Sequence, residues 1–470
     1  MPPSGAPTGA SHSTDAARLL HPCDDETQPI PTLRELACGL SQGLASSRSW
    51  LEAARAAALR QQDLNALAWV DWDAAARAAD ALDAHARAGR PTGALHGLPI
   101  TIKDLYAVQG MPLAAGTRAP LPDLGLAESV AVARMRAAGG LIFAKTNMHE
   151  IALGATGENA WTGDVKNPYD PARQAGGSSS GAGVAVASRI GLAGLGSDTG
   201  GSVRIPAAFS GVVGFKPTFG AIPLAGALHL SWTCDHAGPL TRTVDDAALL
   251  FEVMAQRRTD HGHVARRPRL AVPAKWLAGR LSVAMRAWFE RLLADLRAHA
   301  DVIDVEVPEL FHASAAYTAI VRAEAAYVHR AALAAGGEGF SPGVLAPMQA
   351  GQQVSLPDYL DAMAQRERLR AQLDAILRDY DALVLPTTGV SAPLRGQVEV
   401  QVESGTLTTR EAVLGMTAPF SYVGLPTLSL PYGRVDALPG SLQVVGPRDQ
   451  DAALLALGRW FEAQATRTAV

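Results

Sequence analysis

The segment Gln174–Gly220, QAGGSSSGAGVAVASRIGLAGLGSDTGGSVRIPAAFSGVVGFKPTFG, places two glycine-flanked serine clusters, GGSSSG and TGGSVR, on either side of a run of small residues. From Ser180 to about Ile190 the run reads as a helix whose small side chains let other backbones lie close, and LAGLGS reads as a strand. About eleven helical residues rise ~16 Å, and six extended residues return ~20 Å. Ser178 at the helix start and Ser202 beyond the strand end are therefore expected side by side. The glycines have a task in such a closure. Without a Cβ, Gly200 and Gly201 let the N–H groups of Thr199, Gly200, Gly201 and Ser202 turn toward one point, the arrangement that stabilises an oxyanion. A short helix is expected to begin at Ser202, with Pro206 tolerated in its first turn.

Outward from this segment the pattern alternates between helices and buried strands. Helices are expected over 32–46, 48–63, 72–88, 129–138, 311–334 and 357–380, and at the C-terminus in DAALLALGRWFEAQA. Ser282 is placed to cap a further helix on which Met285, Trp288, Phe289, Leu292 and Leu296 recur at helical spacing. HGLPITIKD, GLIFAKT, RLAVPA, DVIDVEVP and DALVLPTT read as strands, and DHAGPLTRT as strand-poor. Such alternation predicts an α/β fold, a central sheet covered by helices on both faces (α/β/α). Residues 1–30 read as a loose arm, 31–470 as the folded body and 256–268 as a polar linker or surface loop before a C-terminal half over 269–470.

Composition excludes several function classes. The formal net charge is -4 with no basic stripe, which is not the footprint of a nucleic-acid binder. Cys23, Cys38 and Cys234 are too scattered for a disulfide framework or a zinc site. The first residues lack the basic and apolar regions of a signal peptide, and no apolar run reaches the roughly 18 residues needed to span a bilayer, so a cytoplasmic protein without membrane contact is expected. No Gly-Lys-Ser/Thr follows the glycines, and the spacing of a dinucleotide fingerprint is absent. Gly177–Gly181 matches a G-x-S-x-G elbow centred on Ser179, but the residues before it read as loop and no later histidine suits the role. His149-Glu150 begins a zincin-like pair that Leu153 breaks. Neither metal nor cofactor is expected.

A serine nucleophile still needs a base. Only five lysines occur among the 41 basic residues, and Lys103 ends the apolar run Leu98–Ile102. A buried lysine loses its charged form readily and can then accept a proton.

These residues resemble the amidase signature family. GLGSDTGGSVRIPAAFSGVVGFKPT is nearly its diagnostic motif, HGLPITIKD resembles its lysine strand, and the likeness is dense over about 95–255 and returns in LVLPTT and APFSYVGLPTLSLP. The resemblance implies a large mixed central sheet and a Ser–cis-Ser–Lys triad. Ser202 matches the nucleophile, Ser178 the bridging serine after Gly177, and Lys103 the base. Backbone N–H groups of Thr199 to Ser202 match the oxyanion hole, while Ser179, Asp198 and Arg204 match bracing positions. Ile151, Ala152, Leu153, Gly154 and Ala155 match an acyl-pocket wall, and the loops 335–356 and 390–412 are expected at its entrance, their small and apolar residues suggesting an uncharged, aromatic or aliphatic acyl group. The family implies a small-molecule amide as partner, with esters and carbamates as further substrates, and is compatible with a homodimer. It also includes glutaminase subunits of tRNA-dependent amidotransferases, whose acidic residue before the segment matching TAPFS corresponds here to apolar Leu414.

Overall fold

Eleven strands form one mixed sheet in this computed structural model, which describes residues 30–259, 262, 264 and 266–468. The expected arm lies outside these residues apart from Ile30, as does part of the 256–268 run. In chain order the strands are β1 (Leu67–Val70), β2 (Pro99–Lys103), β3 (Leu141–Thr146), β4 (Ala193–Asp198), β5 (Val213–Lys216), β6 (His236–Thr241), β7 (Arg269–Val272), β8 (Asp301–Asp304), β9 (Ala382–Pro386), β10 (Glu399–Val402), β11 (Gly405–Thr408), β12 (Thr427–Val435) and β13 (Leu438–Val445). The large sheet has the order β1-β3-β2-β4-β6-β5-β12-β13-β9-β7-β8, and β10 with β11 makes a separate hairpin. Three parallel strands, β3, β2 and β4, sit on one side, and β9, β7 and β8 are parallel on the other. Antiparallel ladders through β6, β5, β12 and β13 join them.

Every residue of β2, β3, β4, β6 and β9 is buried. Because side chains alternate across a strand, unbroken burial means both faces are covered, which is why these strands read as continuous apolar or small-residue runs. Ser282 caps Val283–Arg297 by accepting from the Met285 N–H, and Met285, Trp288, Phe289, Leu292 and Leu296 are all buried. The long helix expected at 311–334 breaks at His329 into Leu310–Val328 and Arg330–Ala334.

DHAGPLTRT departs from the sequence expectation most clearly. It holds β6, in the middle of the sheet, despite Gly238 and Pro239. Tertiary contact overrides propensity here: a Cβ on Gly238 would lie 2.2 Å from the Phe215 carbonyl oxygen on β5, so only glycine permits that approach. The expected entrance loops are also largely regular. Residues Pro342–Gly351 are helical, and 390–412 contain the β10–β11 hairpin and the start of a helix at Thr409.

The small-residue helix is α1 (Ser180–Ala187), and a second short helix, α2 (Arg204–Ser210), follows β4. A Cβ on Gly181 would meet the Ala66 carbonyl oxygen at 2.2 Å and the Asn147 carbonyl oxygen at 2.7 Å. Glycine to alanine within a helix ordinarily stabilises by about 0.5–1 kcal/mol. At this position the sign reverses: Gly181→Ala is expected to destabilise by about 1–3 kcal/mol through overpacking, read from the urea denaturation midpoint.

Candidate active site

Lys103 ends β2 and is fully buried. Its Nζ donates to Ser178 Oγ at 2.6 Å and to Ser197 Oγ at 2.9 Å. Burial lowers its pKa from the ordinary lysine value to about 7, against the upward pull of the Asp198 and Asp235 carboxylates. Two other lysines are as deeply buried but differently engaged. Lys145 pairs with Asp104 at 2.8 Å, and Lys216 donates to the carbonyls of Pro217 and Leu425. Among these three, Lys103 is the one held by hydroxyl groups.

Ser178 precedes α1, and the Gly177–Ser178 peptide bond is cis. Its carbonyl accepts from the His149 N–H at 3.1 Å. Ser179 joins the two serine clusters: its N–H donates to the Ser202 carbonyl at 3.1 Å, and its Oγ donates to the Ser197 carbonyl at 3.1 Å. The clusters thus lie together, as helix rise and strand return suggest. Helix α2 begins at Arg204, two residues later than expected.

Between β4 and α2, Thr199–Ser202 turn with Gly201 at φ +143°. Among the described residues, none of the four backbone N–H groups of Thr199, Gly200, Gly201 and Ser202 donates to a protein acceptor. The carbonyl side is fastened: Thr417 Oγ1 donates to the Gly200 carbonyl at 2.6 Å, and the Ile205 N–H to the Gly201 carbonyl at 2.7 Å. A Cβ on Gly200 would meet the Tyr317 hydroxyl at 2.1 Å, and one on Gly201 would meet Thr417 Oγ1 at 2.1 Å.

Asp198 and Arg204 bracket this turn. Both are fully buried, with Arg204 Nη2 2.8 Å from Asp198 Oδ1 and Arg204 Nε 3.0 Å from Asp198 Oδ2. The Val203 N–H also donates to Asp198 Oδ2 at 3.1 Å. The remaining guanidinium donors reach the Thr417 carbonyl, Gln443 Oε1 and Ser421 Oγ. Burial pushes the Asp198 carboxyl up, but Arg204 more than offsets this and holds it well below the usual carboxylate range.

A cavity of about 520 Å³ opens over Ser202 and Thr199. Ala152, Leu153, Gly154 and Ala155 line it, but Ile151 does not. Ile151 is buried in the main core, so its expected place in the pocket wall is corrected. The segment bends here, with Ile151 at φ +42° and Ala152 at φ +64°, and Ala152 lines the cavity while also belonging to the core. Charged side chains line the cavity as well, namely Glu150, Glu158, Asp164, Arg322 and Arg410, beside the small and apolar residues expected there.

Sequence reasoning missed several participants. His149 lines the cavity with its Nδ1 3.3 Å from Thr156 Oγ1, and burial, then Lys103, lower its pKa to about 4, so it is a neutral imidazole. Tyr317, on the helix Leu310–Val328 (α3), is held above the usual phenol range by burial, with Arg410 pulling the other way. Their signal in the chain is weak, because His149 stands in a loop pattern and Tyr317 in an ordinary helical one. Ser197 was within reach: it precedes Asp198 on the strand beside the lysine strand.

The sequence profile of the Amidase family matches residues 50–455. This chain belongs to the amidase signature family. The A-type component of glutamyl-tRNA(Gln) amidotransferase from Symbiobacterium thermophilum is 34% identical over 82% of this chain and 86% of that protein. AtzE, the 1-carboxybiuret hydrolase subunit of Pseudomonas sp. (strain ADP), is 32% identical over 90% of this chain and 96% of its own length. A crystal structure described as that of an amidase superposes with a TM-score of 0.90 at 51% identity, covering 92% of this chain and 100% of that one. This amidase is accordingly a hydrolase of amide carbon–nitrogen bonds. Among the described residues, no helix is long and apolar enough to cross a membrane.

The bracketing pair gives the amidase a specific liability. Asp198→Asn leaves a buried guanidinium without its counter-charge, a loss of about 3–5 kcal/mol. Chemical denaturation of the variant is expected to show that loss, together with reduced amide turnover.

Proposed function

We propose that this amidase works through Ser202, Ser178 and Lys103 as a free-standing, metal-independent enzyme for small amides. The observation that carries the reading is the 2.6 Å contact between a buried, carboxylate-free Lys103 Nζ and Ser178 Oγ, beside a turn of unengaged N–H groups. Neutral Lys103 accepts the proton of Ser178 as Ser178 takes that of Ser202 and Ser202 Oγ attacks the substrate carbonyl. Negative charge on the carbonyl oxygen is met by the N–H groups of Thr199, Gly200, Gly201 and Ser202. As the tetrahedral intermediate collapses, the relayed proton passes to the leaving nitrogen and an acyl-enzyme remains on Ser202. Water then follows the same relay and releases the carboxylate. Esters and carbamates present the same carbonyl to the same donors and are proposed as further substrates.

A second reading, a glutaminase component of a tRNA-dependent amidotransferase, is favoured by the 34% identity to such a protein. Apolar Leu414 in the cavity lining speaks against it, since it offers nothing to a substrate ammonium.

A panel of para-nitroanilides plus glutamine, with and without chelator, separates the two. Chelator-resistant anilide cleavage by the isolated chain is expected; ammonia from glutamine alone, or activity only with an added partner, would favour the second reading. Ser202→Ala is expected to lower turnover by roughly 10⁴-fold or more, and full turnover in that variant would refute the assignment. Lys103→Arg keeps the cation but cannot be deprotonated, so a loss of ~10²–10⁴-fold is expected.

The pH profile carries a sign. The amine works when neutral, and its neutral fraction grows as pH rises through about 7. Measured kcat/KM is therefore expected to fall on the acid side, reaching roughly a tenth of its plateau one pH unit below that midpoint.

A further inference from the structure

Five charged side chains line the cavity over Ser202: Glu150, Glu158, Asp164, Arg322 and Arg410. The three carboxylates are already engaged. Glu150 is buried and accepts from Thr117 Oγ1 at 2.7 Å, Trp161 Nε1 at 2.9 Å and the Ser341 N–H. Glu158 accepts from the Gly396 N–H at 2.6 Å. Asp164 accepts from the Asn159 N–H and pairs with Arg395, both at 3.1 Å.

The arginines differ. Among the described residues, neither guanidinium makes a hydrogen bond or ion pair, although Arg322 is half-buried. They arrive from separate elements, Arg322 from α3 five residues beyond Tyr317 and Arg410 from the helix Thr409–Leu414. Both face the one cavity that also exposes Ser202, and Tyr317 connects them to the reacting region by lying against Gly200. Arg410 is exposed and reaches solvent, but two guanidinium groups that line one concave site without a hydrogen-bond or ion-pair partner keep their donors free for a ligand. A guanidinium offers donors in a fork that fits a carboxylate.

We propose that Arg322 and Arg410 form a carboxylate-recognition subsite, so that the preferred substrates are amides carrying a carboxylate elsewhere in the same molecule. This rests on the reading of Ser202 as nucleophile. An engaged carboxylate fixes the amide in the cavity.

The test compares matched probes. The mono-para-nitroanilides of succinic and glutaric acid place the carboxylate in the acyl part, and N-butyryl-para-aminobenzoate places it in the amine part. Butyric and valeric para-nitroanilides and butyranilide are the neutral counterparts. At low salt, at least one anionic probe is expected to exceed its counterpart in kcat/KM by roughly 10- to 100-fold, the range of charge-assisted hydrogen bonds, with the ratio shrinking as salt rises. Arg410→Met and Arg322→Met are expected to lower that ratio at least tenfold, and Arg410→Lys to restore part of it.

A preference for the neutral probes, or an equal fall for both probe types in the variants, would overturn the subsite. If no probe is turned over, calorimetric binding to the Ser202→Ala chain decides. Selective binding of an anionic probe there supports the subsite while the reaction reading fails; equal binding or none overturns it.

Discussion

A carboxylate and a guanidinium, Asp198 and Arg204, meet at 2.8 Å where neither is open to solvent. Withdrawing two such charges from water costs several kcal/mol per ion, and attraction alone repays it only when the remaining donors are satisfied. All five guanidinium N–H groups of Arg204 find acceptors, two of them on Asp198 and the others on Thr417, Gln443 and Ser421. These acceptors lie at the end of β4, in the segment around Thr417–Tyr422 and on β13. The pair therefore closes the Thr199–Ser202 turn at both ends and fastens it to the C-terminal half of the sheet. A glycine-rich turn that would wander by itself is given one conformation.

The same interior sets the electrostatics of Lys103. A low-dielectric surrounding disfavours an ammonium unless a counter-charge is adjacent. Lys145 has one in Asp104, whereas Lys103 has two hydroxyls and only more distant carboxylates. Composition had already marked lysine as unusual in this arginine-rich chain. Coordinates add the distinction among the buried lysines, which depends on neighbours brought in from β4 and the turn before α1.

Much of the fold was legible because the helices carry local signals. Ser282 is a cap with an apolar stripe behind it, and PITIK and LIFAKT are runs too apolar to be anything but buried. β6 was hidden because Gly238 and Pro239 are poor strand residues, and the reason for them is a backbone approach from β5 that no local window contains. The chemistry-bearing serines and lysine were legible because glycine-rich spacing is rare and has few structural uses. The cavity wall was not: Ile151 and Ala152 are neighbours in sequence and both belong to the core, yet at a left-handed bend only Ala152 also lines the cavity. Arg322, on a helix with an ordinary apolar pattern, is assigned to the cavity only by the way α3 is docked.

The ladder between β5 and β12 has a bearing on how the chain must be born. β5 pairs with β6 on one side, while its other edge is completed by Thr427–Ser429, near the far end of the polypeptide. At the ~5–20 residues per second of ribosomal synthesis, that edge waits for tens of seconds. An open edge of a sheet is a template for foreign strands. The N-terminal half thus leaves the ribosome with an unfinished margin in the middle of what will become its sheet. Its first need for protection arises there, during biosynthesis, at the seam that later holds the two halves together.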